Sequence, residues 1–149
     1  MIPVQQAERV MTENDKKKKY LRGYRKHGKR IKRIEAEIEE IRIMKQNPSM
    51  NNDGMPKGTN ISDLSDYAVE LDELEQQLYK EGVEQVKLYK DISWKIQSLK
   101  NEEERDVLFY RYIKGMEFWE IAKEMEYSER QVHRIHGRAL KNIELSIEK

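Results

Sequence analysis

LKNEEERDVLFYRYIKG (residues 99–115), MEFWEIAKEMEY (116–127) and SERQVHRIHGRALKNI (128–143) form one continuous stretch, in which punctuation residues mark out three short helices. Asn101, followed three residues later by Glu104, fits an N-cap with a return contact from the third helical position. Val107, Leu108 and Tyr112, joined by Phe109, make an apolar stripe, and Gly115 fits a left-handed C-terminal cap. A second helix is expected over about 117–125, burying Ile121, Ala122, Met125 and one of the adjacent aromatics, Phe118 or Trp119. Small Ala122 lets two helices approach closely. Ser128 with Gln131 reads as a capping box opening a third helix over about 129–145.

The third helix has two chemically distinct sides. Val132, Ile135, Ala139 and Ile143 cluster on one side at the 3.6-residue period. The opposite side carries Arg130, Arg134, Arg138 and Lys141, flanked by Gln131 and His133. Arg and Gln are the side chains that read guanine and adenine edges bidentately, and a helix of this kind fits a DNA major groove. Arg130, Gln131, His133 and Arg134 are therefore expected at base edges, and Ser128, Arg138 and Lys141 at phosphates. The competing reading is a three-helix packing unit with a solvated basic face.

The stretch resembles region 4 of the sigma-70 family and the related LuxR-type helix-turn-helix modules. The resemblance is carried by Glu104 and Arg105, Val107 and Leu108, Arg111 and Tyr112, Gly115, Glu120 to Ala122, Ser128, Val132, Arg134, and Arg138 to Leu140. Over its whole length the chain resembles small phage and prophage transcriptional regulators of the ArpU and RinA type. That longer resemblance rests on a helical hairpin, the loop Asp53–Gly58 and the C-terminal module. It implies a promoter of a phage or mobile element as target, with activation of late or packaging genes as the effect.

Composition narrows the class. With 37% hydrophobic and 38% charged residues, the chain is thin for a compact globule and suits long helices. The absence of cysteine excludes disulfides and thiolate metal sites, and fits a reducing cytoplasm. No apolar run is long enough for a bilayer span, so no membrane partner is expected. The net charge of +1 hides segregation: Lys16 to Arg33 holds eleven Lys or Arg and no acid, whereas Asp63 to Asp106 holds thirteen acids against six bases.

Upstream of the module, two long helices are expected around a breaker. Tyr20, Tyr24, His27, Ile31, Ile34, Ile38, Ile41 and Lys45 follow a 4-3-4-3 heptad spacing over residues 15–46. Residues 47–61 concentrate two prolines, two glycines and four asparagines, and cannot continue a helix. A second helix, starting at Asn60 or Ser62 and ending near 98, carries Leu64, Tyr67, Leu71, Leu74 and Leu78, then Leu88, Ile92, Ile96 and Leu99. The interruption by Glu81, Gly82 and Gln85 predicts a bend or register change near Gly82. The expected fold is thus all-α: a long antiparallel, coiled-coil-like hairpin (15–98, with loop 47–61) followed by a three-helix helix-turn-helix module (99–149), after a flexible start (1–14).

The basic start of the first helix exceeds what the later part of the second can neutralise. Lys17, Lys18, Arg22 and Arg25 are accordingly expected on DNA phosphates, the alternative being a solvated face. The hairpin alone buries little area, so it is expected to pair with a second copy of the chain or to pack on the C-terminal helices. Catalytic chemistry has no support: no phosphate-cradling glycine motif and no paired-carboxylate pocket can be read. His133 and His136 lack further ligands for zinc, and no cofactor is expected. Double-stranded DNA is the expected partner of this cytoplasmic protein. A sigma-like module that works mainly by docking on RNA polymerase, or a coiled-coil assembly protein that binds no DNA, are the alternatives.

Overall fold

The computed structural model describes residues 11–46 and 61–145, with side chains of the second segment from Asp66 onward. The start of the expected flexible terminus, the Asp53–Gly58 loop and the side chain of Leu64 lie outside the described residues. The protein is all-α. Helix α1 spans Glu13–Gln46 and α2 spans Ile61–Gln97. α3 (Glu102–Leu108) runs directly into a π-helical turn, Phe109–Ile113, and is followed by α4 (Phe118–Met125) and α5 (Glu129–Asn142). No helix among the described residues is long and apolar enough to cross a membrane.

α1 begins slightly before the expected position because Thr12 caps it. Thr12 Oγ1 accepts from the Asp15 amide at 3.1 Å, and Asp15 Oδ2 accepts from the Thr12 amide at 3.2 Å. α2 runs through Gly82 without a break, contrary to the expected register change. Leu78, Glu81, Gln85 and Leu88 keep the 3-4-3 spacing, so the polar residues occupy seam positions instead of displacing the seam.

The contacts divide the chain into two compact units, Met1–Arg25 with Leu88–Lys149, and Lys26–Lys87. In the second unit Ile34, Ile38, Ile41 and Leu74 are buried together, with Tyr67, Leu71 and Leu78 packed against them. Arg42 pairs with Glu75 at 3.4 Å and Arg30 with Glu81 at 3.7 Å, so the helices run antiparallel there. The polar layer is closed by Glu81 Oε2, 2.5 Å from His27 Nδ1. Gly28 lets the helices come together at this level: a Cβ there would meet the Gln85 amide at 3.0 Å.

The first unit contains the two helix ends and α3–α5. One core joins Leu21 of α1, Ile92, Ile96 and Leu99 of the α2 end, Leu108, Tyr112, Ala139, Leu140 and Ile143. A second joins Val107, Ile121, Ala122, Val132 and Ile135. Leu21 is fully buried although it lies off the heptad seam. The start of α1 packs on more than one neighbour, so its buried arc is wider than a two-helix seam. Lys95 is buried as well, donating to Tyr20 Oη at 3.1 Å and to Asp91 at 2.5 Å while lying over the Tyr20 ring. Burial of a lysine is tolerated here because the ammonium keeps hydrogen-bonding partners.

Candidate nucleic-acid interface

The interface is built on α5, and its position follows from three local devices. The first is the cap. Ser128 Oγ accepts from the Gln131 amide at 3.2 Å and Gln131 Oε1 accepts from the Ser128 amide at 2.9 Å, closing the capping box. The second is the turn before it. Glu126 adopts a left-handed conformation (φ 60°) and ends α4, and Tyr127 Oη donates to Glu103 Oε1 at 2.5 Å, tying the turn to α3. The third is the pair of apolar clusters. Val132 and Ile135 sit in one, and Ala139, Leu140 and Ile143 in the other, so both halves of α5 are anchored.

The end of α3 holds the other side of this arrangement. The Lys114 amide bonds to the Phe109 carbonyl at 3.1 Å and the Met116 amide to the Tyr110 carbonyl at 3.0 Å, with Gly115 at φ 72° between them. The π-helical turn widens the helix by one residue just before the chain reverses, and no pattern in the sequence marked it. Gly115 serves twice. Its φ suits glycine, and a Cβ there would collide with the Arg25 guanidinium, which donates to the Ile113 carbonyl at 3.5 Å. Gly115→Ala should therefore destabilise the protein by about 1–2 kcal/mol, from the left-handed conformation alone and more if Arg25 is dislodged. Thermal unfolding followed by circular dichroism reads this; an unchanged midpoint would contradict the double role.

Of the two adjacent aromatics on α4, Phe118 packs inward while Trp119 is 58% exposed. The Arg111 guanidinium lies 4.5 Å from the Phe118 ring centroid, and His133 packs against the same ring at 4.2 Å. Arg111 is itself held by the Met116 carbonyl at 3.0 Å. His136, one turn further on, is buried and shares a 2.7 Å hydrogen bond with Tyr112 Oη. Burial, and then the nearby charges of Lys18, Arg111, His133 and Arg22, lower its pKa to about 4. It is a neutral core residue.

The residues expected at a DNA surface fall into three groups. Arg130, Arg134 and Lys141 are exposed and, among the described residues, pair with no acid. Ser128, Gln131, His133 and Arg138 are exposed but partly committed: the Ser128 hydroxyl and Gln131 Oε1 to the cap, His133 to Phe118, and Arg138 to a loose 3.9 Å ion pair with Glu103. The α1 residues separate. Lys17 Nζ donates to the Leu140 and Lys141 carbonyls at 2.7 and 3.4 Å, and Arg25 to that of Ile113, so these two cations cap the ends of α5 and the π-helical turn. Lys18 and Arg22 lie close enough to lower the His136 pKa and, among the described residues, carry no such carbonyl bond.

One expected contact is replaced. Asn101 Oδ1 accepts from the Glu104 amide at 3.1 Å as an N-cap, but the Glu104 carboxylate does not return to Asn101. It is buried and accepts from Asn142 Nδ2 of α5 at 2.7 Å. A tertiary partner has displaced the local one, and it fixes the end of α5 to the start of α3.

No curated protein and no solved structure matches the chain. A family model does, taking in the end of α1, all of α2 and the whole of α3–α5. The chain therefore belongs to the family described as "Protein of unknown function (DUF1492)", whose model matches residues 45–144.

Proposed function

We propose that the protein binds double-stranded DNA as a transcriptional regulator, with α4 and α5 acting as a helix-turn-helix and α5 entering the major groove. The observation that carries this reading is the exposed arc of α5. Arg130, Arg134 and Lys141 stand on it without acidic partners among the described residues, on a helix held from behind by two apolar clusters. Cations that no protein group neutralises suit a polyanion, and a rigid helix supplies the fixed geometry that base reading needs. Arg130 and Arg134, near the start of α5, take the base edges, with Gln131 and His133 beside them. Ser128, Arg138 and Lys141 take phosphates.

Lys18 and Arg22 extend the cationic surface from α1. Because Lys17 and Arg25 bind backbone carbonyls, α1 adds about two phosphate contacts to the salt dependence instead of four. By resemblance to the phage regulators, the target is a promoter of a phage or mobile element. Selection of bound duplexes from a random-sequence pool tests the reading. The expected outcome is an enriched sequence whose affinity falls steeply as salt rises. A pool that stays unenriched, together with no salt-dependent binding to any duplex, would contradict it.

A further inference from the structure

Among the described residues, nothing in the fold calls for a glycine at position 137. It lies in the interior of α5, where glycine costs about fivefold in the folding equilibrium relative to alanine. Of the other described glycines, Gly23 and Gly28 offset that cost inside the fold, and Gly115 lies outside the helices. A Cβ at Gly23 would meet Leu88 at 2.9 Å, one at Gly28 would meet Gln85, and Gly115 has a positive φ. A Cβ at Gly137 would meet none of the described residues within 4 Å, and its φ is an ordinary helical one. The described residues leave room for a side chain there.

The surroundings of that gap name what fills it. On a helix, the neighbours of position 137 are at 133, 134, 140 and 141. Leu140 is buried, whereas His133, Arg134 and Lys141 are exposed. The bare backbone is thus a notch in the middle of the cationic arc. Gly82 of α2 is equally open, but Tyr79 and Val86 beside it are exposed and uncharged, and nothing there points to a polyanion.

The geometry points to Gly137 as the place where a sugar–phosphate strand of bound DNA crosses α5 so closely that a Cβ does not fit. This inference rests on the DNA-binding reading and deepens it. Toward the N-terminus of α5, Arg130 and Arg134 face base edges. One turn later the helix has to pass the groove wall, and there Arg138 and Lys141 flank the glycine. A methyl group at the crossing holds the strand away from both cations. Because the strand carries no sequence information, the penalty falls on every duplex alike.

The experiment compares Gly137→Ala with Gly82→Ala in the full chain, using one duplex selected from a random pool and one of unrelated sequence. Both substitutions should raise the thermal midpoint by about 2–4 °C, since each replaces an open helical glycine. Gly137→Ala should weaken binding to both duplexes by a similar factor, about 5- to 150-fold, the range expected when a methyl group is forced into a close-packed contact. Gly82→Ala should bind both as the wild type does. Wild-type affinity in Gly137→Ala, equal losses in both variants, or a loss confined to the selected duplex would each overturn the strand crossing. A Gly137→Ala protein less stable than wild type would also overturn it, because the space would not then be open. Wild-type protein that binds neither duplex would overturn the DNA-binding reading itself, and Arg134→Ala losing affinity while Gly137→Ala keeps it would remove only this inference.

Discussion

Ile38→Asp should melt the unit formed by residues 26–87. Ile38 is 4% exposed and packs with Ile34, Ile41 and Leu74, in a cluster with few other buried members. The substitution removes apolar burial and places a carboxylate among Ile34, Ile41 and Leu74. Loss of about 4 kcal/mol or more is expected, at the upper end of single-site effects. A two-helix unit with so small a core has little stability in reserve. Ile38→Val, which removes one methylene, should cost only about 0.5–1.5 kcal/mol and keep the fold. Hydrogen exchange of amides in 30–45 and 67–80 separates the cases. Protection that survives in the Asp variant would show that the cluster does not hold these helices together.

Acid should destabilise the other unit through His136. In the unfolded chain an imidazole titrates near 6.5, whereas in the fold burial and the surrounding cations lower it to about 4. The folded state therefore prefers the neutral ring. Stability from this group is complete above about pH 6.5 and is lost as the pH falls toward 4. The loss reaches at most about 3 kcal/mol, because a tenfold change in proton affinity corresponds to about 1.36 kcal/mol. The groups facing the ring are Lys18 and Arg22 of α1, Arg111 and Tyr112 of the π-helical turn, and His133 of α5 itself. Protonation would add a cation to that set. His136→Gln keeps a hydrogen-bonding partner for Tyr112 but does not titrate, so its stability should fall less between pH 6.5 and 4. Identical pH profiles for the two proteins would remove His136 as the cause.

Local punctuation in this chain was legible because its partners are three or four residues away. Ser128 with Gln131, Asn101 with the Glu104 amide, and Gly115 at the reversal all stand where spacing placed them. So do the two sides of α5, since a 3.6-residue period separates Val132, Ile135, Ala139 and Ile143 from the cations without knowledge of neighbours. What spacing could not supply were choices made by distant residues. The Glu104 carboxylate has a local partner in Asn101 and a tertiary one in Asn142, and the tertiary one prevails. Lys17 and Arg25 look like any members of a cationic run until the carbonyls of Leu140, Lys141 and Ile113 arrive beside them. Leu21 falls off the seam because a seam assumes one neighbour, and α1 has several at that level. Glu81 and Gln85 read as an interruption because a polar layer inside a seam is recognised only when His27 and Gly28 stand opposite.

The assignment of α5 as the DNA-reading helix is tested most directly by the affinity of Arg134→Ala for the selected duplex. Arg134 is exposed at the centre of the cationic arc and, among the described residues, pairs with no acid, so its removal should leave the thermal midpoint nearly unchanged. If it reads a base, affinity should fall by about 1–3 kcal/mol, or roughly 5- to 150-fold, and discrimination should relax at one position of the site. Unchanged affinity for every duplex, in a protein of unchanged stability, would contradict the placement of α5 in the groove.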